Sequence, residues 1–446
     1  MSNARISKTR RVNPWWVAII AGMASFIDAM AIVGTSSALV LFQEPLGFTA
    51  DQFGHYSALL TFSIAVGALF GGRLGDRFGR RHVFTVTLLI VAVGAVLSAL
   101  AWDPWVLYLS LILVGIGSGA DLPVSMAMIA ESAPEAKRGK MITFSHILWM
   151  LGILAVTVMG IFVGTMGETG ARIIYAAIAG LAVIVVLLRL TLPESAEWVA
   201  ANKARTDSIT ANDGSSQGDI GALGRLFRSR FIVPLVALGL FYAIVNIAAN
   251  TNGQFGTYLY VNVAGSDVST ASTISLISFA VSFVGMLTLM RLVDTRFRML
   301  GFAIGAVLSI LGFAIPALMG VTVPTLVAMG VLYALGGAIA GEPMFKVWAQ
   351  ELFPTLYRSS AQGIMIAFTR VIASVFALVT PGIIAFGPSA LFGFLIVTTL
   401  IAVGIGFFWV SPNPEPRPDG GLGMGEGDLA EGVSTESDSP AVAARH

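Results

Sequence analysis

The sequence predicts an all-α membrane protein: twelve transmembrane helices in two pseudo-symmetric six-helix bundles. Three observations carry that expectation. Hydrophobic residues make up 56% of the 446 and charged residues only 11%, whereas a soluble domain carries roughly 25% charged residues. Mean hydropathy is +0.83. The apolar residues fall into twelve runs of about 20 or more, the length a helix needs to cross the hydrocarbon core. Finally, the chain repeats itself. RLGDRFGRR at 73–81 is answered by RLVDTRFR at 291–298, and AESAPEAKRG by QELFPTLYRS. Asp76 and Asp294 stand about 218 residues apart, and Glu131 and Glu351 about 220, so two independent motifs share a period of half a chain.

Residues 1–14 form a basic N-terminal tail (Arg5, Lys8, Arg10, Arg11) that resembles the start of a signal peptide. The apolar run behind it is too long, Asp28 interrupts it, and no small-residue cleavage site follows, so it reads as an uncleaved first span. Residues 15–192 form the first bundle, with spans at about 15–41, 54–74, 82–101, 105–130, 141–165 and 171–191. Residues 193–230 form a linker on the cytoplasmic side. Its middle, ITANDGSSQGDIG, has the composition of a flexible connector, and LGRLFRSRF at 223–231 suits a short amphipathic helix on the membrane surface. The second bundle occupies 231–411, with spans at about 231–260, 268–292, 299–318, 323–350, 361–386 and 388–410. Residues 412–446, rich in Pro, Gly, Glu and Ser, form a disordered cytoplasmic tail by composition.

Loop charges orient the chain. Lys and Arg cluster before span 1 and in every second loop thereafter: Arg73, Arg77, Arg80 and Arg81; Lys137, Arg138 and Lys140; Lys203 to Arg230; Arg291, Arg296 and Arg298; then Arg358. The alternate loops carry almost none, with Arg172 the exception. The excess of positive charge on one side places both termini in the cytoplasm, as expected for a multi-pass protein of the plasma (inner) membrane.

Composition narrows the function. There is no cysteine and the four histidines show no ligand spacing, which speaks against disulfides, thiol catalysis and zinc sites. No nucleophile–base set is visible, so an enzyme is not expected, nor is a cofactor or a metal. A net charge of +1, without basic blocks interleaved with aromatics, speaks against a nucleic-acid partner. Glycines such as Gly67, Gly71, Gly115, Gly117 and Gly119 suit close helix packing in lipid.

Ionisable side chains at membrane depth are costly, so each is a candidate for function. Asp28, Asp121 and Glu342 are candidates for proton coupling, because burial disfavours a charged carboxylate and suits it to loading and releasing a proton. The competing reading for Asp28 is a fixed pair with a base or hydrogen bonds to hydroxyls, and for Asp121 a contact with substrate. Glu342 and Lys346 are four apart and can pair on one helix face. Alternatively Lys346 holds a substrate carboxylate, and Arg370 in span 11 also needs an anion. Shifting Asp28 by the repeat lands near Ala248, in a stretch holding Asn246, Asn250, Asn252, Gln254 and Tyr258. Such polarity in a span suits a wet cavity, and amides and a phenol suit a polyhydroxyl ligand. Inter-helix glue is the alternative.

GRLGDRFGRR (Gly72 to Arg81) resembles the loop 2–3 signature of the major facilitator superfamily. AESAPEAKRG, LPESAEWV and ELFPT with Arg358 are similar to its sugar-porter and metabolite:proton symporter branch, over about residues 15–410. The resemblance implies the fold of that superfamily, with two bundles about a pseudo-twofold along the membrane normal and rocking-type alternating access. It implies a cytoplasmic gate of Asp76, Arg80, Glu131, Arg138, Asp294, Glu351 and Arg358, and matches Asp28 to the span 1 acid of proton-coupled porters. The span 4 position where sugar porters carry Arg reads Leu111, Asn246 and Ile247 replace their Gln-Gln pair, and Asn252 fits their binding Asn. Arg370 is a candidate partner for Asp28. The expectation is a monomeric secondary transporter whose partners are protons, lipid and a small polar metabolite: a sugar, a polyol or an organic acid. The alternatives are a proton-coupled drug exporter and a transporter-like sensor.

Overall fold

In a computed structural model, residues 12–134, 137–195, 198–199, 202–203, 232–293, 295–353 and 355–410 are described. The C-terminal tail, the surface helix expected at 223–231, and most of the linker and N-terminal tail lie outside the described residues. Six helices form the first half: α1 (Pro14–Leu46), α2 (Ala50–Phe78), α3 (Arg80–Ala99), α4 (Pro104–Ser132), α5 (Arg138–Val163) and α6 (Glu168–Arg189). The second half holds α7 (Ile232–Tyr258, prolonged by a π-helical turn Leu259–Val263), α8 (Val268–Leu292), α9 (Arg298–Met319), α10 (Val323–Ala340), α11 (Glu342–Leu352), α12 (Thr355–Phe386) and α13 (Pro388–Ile405, prolonged by Gly406–Val410). Together they supply 12 stretches long and apolar enough to cross a membrane.

Local chemistry sets the helix starts. The Asn13 side chain accepts from the Trp15 N–H at 3.0 Å, and Asp103 accepts from Trp105 at 2.8 Å, each just ahead of a proline at the first helical position. Proline costs nothing there, because that N–H has no intrahelical partner. Thr49 and Gln52 form a reciprocal capping box at α2. Arg172 joins α6 to the end of α3, donating to the Ala99 and Ala101 carbonyls at 2.8 and 2.9 Å and pairing with Glu168 at 2.5 Å. That contact accounts for the one arginine breaking the loop-charge alternation. Trp102 and Trp105 nearby are 72% and 76% exposed, as tryptophan is at a membrane interface.

One expected span is two helices. The run 323–350 breaks at Gly341, whose ψ of −137° is not helical, and α11 restarts with Pro343 in its first turn. Pro343 has no N–H to donate to the preceding turn, and glycine tolerates the break. The matching proline of the first half, Pro123, sits inside an unbroken α4.

Within the first half α2 and α4 pack most closely. A Cβ at Gly71 would stand 2.5 Å from the Ala120 Cα, and one at Gly119 would overlap the Ile64 carbonyl. Between the halves, α1 packs on α7, α2 on α12 and α5 on α8. The second and third pairs exchange under the repeat and the first maps onto itself, so the inter-bundle contact is itself pseudo-twofold.

That contact is gathered at one end, apart from the approach of Lys346 to His146. We call the end bearing Arg73, Arg77, Arg80 and Arg81 the basic end. At the opposite end one hydrophobic core runs through both bundles, taking in Phe42, Phe53, Phe255, Tyr258, Ile274 and Ile384. Toward the basic end the core divides: Val17, Phe84, Ile129 and Met141 belong to the first bundle, and Phe241, Phe302, Trp348 and Phe353 to the second. The bundles are therefore closed at one end and parted at the other.

Candidate functional site

Below the seal the bundles enclose a cavity of about 240 Å³. Its wall combines His146, Trp149 and Met150 of α5, Asn246 of α7, Ser282 and Met286 of α8, Tyr333 of α10, and Glu342 and Lys346 of α11. The helices α5 and α8 touch near Gly160, Gly164, Ser269 and Ser272 and separate toward the basic end, which opens this space.

Asp28 is 1% exposed, on the face of α1 turned into the first bundle. Ser118 of α4 donates to it at 2.8 Å, and Trp149 of the cavity wall lies near it. Among the described residues no base lies within salt-bridge distance. The Arg370 guanidinium acts on it only through its field, from the other bundle. Arg370 is half-buried and makes no hydrogen bond or ion pair among the described residues. Asp28 is thus a buried acid with hydrogen-bond support but no fixed counter-charge, a form suited to reversible protonation.

Asp121 has a different environment. Arg189 of α6 grips both of its oxygens at 2.7 Å, and Thr87 of α3 donates at 3.0 Å. Arg189 is 0% exposed, lies 3.4 Å over the Phe84 ring and also donates to the Phe84 carbonyl. Asp121 does not line the cavity; it belongs to a closed ion pair inside the first bundle. Sequence reasoning missed Arg189 because it stands at the end of span 6, where an arginine reads as a solvated flank.

Glu342 and Lys346 pair at 2.8 Å, and Lys346 Nζ approaches His146 Nδ1 across the bundles at 3.5 Å. His146 and Trp149, three apart on one face of α5, lie nearly parallel with ring centroids 5.6 Å apart. Both escaped sequence reasoning; their spacing on one face of a spanning helix was the available signal.

The span 7 amides divide. Asn246 lines the cavity. Asn250 hydrogen-bonds Asn246, and the Gln254 amide donates to Asn250 at 3.0 Å and to Thr61 of α2 at 2.7 Å. Ser36 of α1 donates to the Gln254 carbonyl at 2.7 Å. This ladder runs from the cavity into the seal. Asn252 donates to the Ala248 carbonyl at 3.3 Å and lies near Tyr333. Tyr258 stands away from the cavity, 4.8 Å from the Phe53 ring in the seal.

At the basic end, Arg80 pairs with Glu131 at 3.0 Å and Arg298 with Glu351 at 2.5 Å. These are repeat-related pairs, each inside its own bundle. The side chains of Asp76, Arg138 and Arg358, and Asp294 altogether, lie outside the described residues.

Comparison with known proteins places this geometry. The family profile described as the Major Facilitator Superfamily matches residues 19–365. The minor myo-inositol transporter of Bacillus subtilis (strain 168) is 30% identical over 403 residues, covering 89% of this chain and 90% of its own. The arabinose-proton symporter of the same organism is 25% identical over 361 residues, 72% and 77% of the two chains. The crystal structure of a D-xylose-proton symporter superposes with a TM-score of 0.72 at 20% identity, covering 90% of this chain and 98% of that one.

Proposed function

This chain belongs to the major facilitator superfamily, and on that premise we propose a secondary active transporter that carries a small polar metabolite together with protons by alternating access. It sits as a monomer in the plasma membrane, multi-pass, with the basic end and both termini in the cytoplasm; the loop charges support that orientation. The relatives named for myo-inositol and for arabinose and protons support a sugar or polyol. Lys346 at the cavity keeps organic acids in the class. A cavity of about 240 Å³ fits a metabolite better than the roughly 300–1,000 Å³ pockets of drug-sized ligands.

Asp28 carries the proposal: a buried acid, hydrogen-bonded but not ion-paired, behind a tryptophan of the cavity wall. In this reading Asp28 takes the proton, while Asp121 fixes the first bundle and Glu342 holds Lys346. Asn246, Asn252 and Tyr333 meet the cargo. Asn250, Gln254 and Tyr258 transmit its presence to the seal. Asp76, Arg80, Glu131 and Arg138, with Asp294, Glu351 and Arg358, form the cytoplasmic gate, whose charges re-pair when that end closes. The test is uptake into proteoliposomes under an imposed pH gradient, using myo-inositol, arabinose and small carboxylates as probes. Asp28→Asn should abolish uphill accumulation and spare exchange. Undiminished accumulation by that variant removes Asp28 from the coupling step.

A further inference from the structure

The charges around the cavity do not cancel once Asp28 is protonated. With His146 neutral as the acceptor from Lys346, four charge-bearing groups bear on this space: Asp28 on α1, Glu342 and Lys346 on α11, and Arg370 on α12, whose field reaches both Asp28 and Glu342. Asp121 and Arg189 neutralise each other within the first bundle. With Asp28 ionised the four sum to zero. With Asp28 protonated they sum to +1, in a setting where an uncompensated charge is costly.

Two donors stand at the cavity wall, Lys346 and His146. An ammonium has donors only, so the 3.5 Å contact from Lys346 makes Nδ1 of His146 the acceptor and assigns the remaining ring proton to Nε2. His146 therefore offers an N–H, and Lys346, with its side chain 46% exposed, has donors beyond those used by Glu342 and His146. Arg370, with no partner among the described residues, adds its field. The rest of the wall is largely apolar: Trp149, Met150, Phe241, Met286 and Phe302. A polyol would leave that surface against hydroxyls and the two cations sharing one carboxylate.

We infer that the cargo is a small monocarboxylate with a compact apolar or aromatic body, its carboxylate received by Lys346 and the His146 N–H at the cavity wall, under the field of Arg370, and its charge balanced by the proton on Asp28. This deepens the transporter reading and rests on it. The loaded cavity is then neutral, and one proton moves with one anion.

Thermal unfolding of the purified full-length protein tests this with benzoate, cyclohexanecarboxylate and hexanoate, against benzyl alcohol and myo-inositol. A ligand that binds the folded form raises its midpoint. At least one carboxylate should give a saturable rise and the alcohols none. Lys346→Gln should weaken that carboxylate by about tenfold or more, the effect of losing one charged hydrogen bond, and Arg370→Gln should weaken it through the lost positive field. Arg370→Lys, which keeps the charge, should retain part of the affinity. Asp28→Asn mimics the protonated acid and should bind the carboxylate at least as tightly as the parent. Silence from every carboxylate overturns the inference. If myo-inositol binds in that case, the transporter reading survives; if proton-driven uptake is also absent, that reading falls too. Carboxylate binding that Arg370→Gln and Lys346→Gln leave unchanged overturns the assigned site.

Discussion

At the scale of single residues, two buried acids of the first bundle proved to have opposite environments. Asp121 and Asp28 both read as membrane-depth carboxylates, and sequence alone cannot rank them, because the deciding residues come from other helices. Arg189 reaches Asp121 from α6, and Ser118 and Trp149 reach Asp28 from α4 and α5. The difference is measurable. Arg189→Leu leaves Asp121 buried and uncompensated and should cost about 3–5 kcal/mol, the range for breaking a buried pair on one side. Adding Asp121→Leu should recover much of that loss, since a buried pair is often replaceable by apolar residues. Thermal unfolding of the two variants reads this; a double variant no more stable than Arg189→Leu would show that the pair does more than neutralise itself. Outside the spans, Asp267 caps α8 and accepts from the Thr270 N–H at 2.9 Å and its hydroxyl at 2.8 Å. These bonds hold its carboxyl below the usual range. Its contribution is present above the ordinary carboxylate pKa and is lost as pH falls through the lowered one.

At the scale of elements, the spans were legible because each is a long apolar run bounded by charge or by a capping residue. The helix break was not. QELFPTLYRS matches AESAPEAKRG, and Pro343 matches Pro123, yet only the second half interrupts its helix, at Gly341. A proline can be absorbed or can divide a helix, and its surroundings decide which. The α2–α4 crossing gives the firmest element-scale prediction. Gly119→Val puts a branched side chain into the Ile64 backbone and should lower the unfolding midpoint severely or abolish recovery of folded protein. Gly180 on α6 has nothing within 4 Å of an added Cβ, so Gly180→Ala should match or slightly exceed the parent, alanine being the better helix former. Equal behaviour of the two variants would mean that the crossing is not set by backbone contact.

At the scale of the molecule, the doubled motif disclosed two matching halves, and the structure shows how they meet. A continuous core joins them at one end and separate cores lie at the other. The sequence carried no sign of which end is closed. Nor did it separate the span 7 amides that face the cavity from those that enter the seal. The central claim is that this seal must open for cargo to pass. Ser37 and Thr257 face each other across it, their hydroxyl oxygens 3.3 Å apart, and the chain contains no cysteine, so a pair placed at these two positions can be cross-linked cleanly. In proteoliposomes carrying Ser37→Cys with Thr257→Cys, oxidation should abolish uptake and reduction should restore it, with either single variant unaffected by oxidant. Uptake continuing at its full rate in protein shown to be cross-linked would contradict alternating access through this seal.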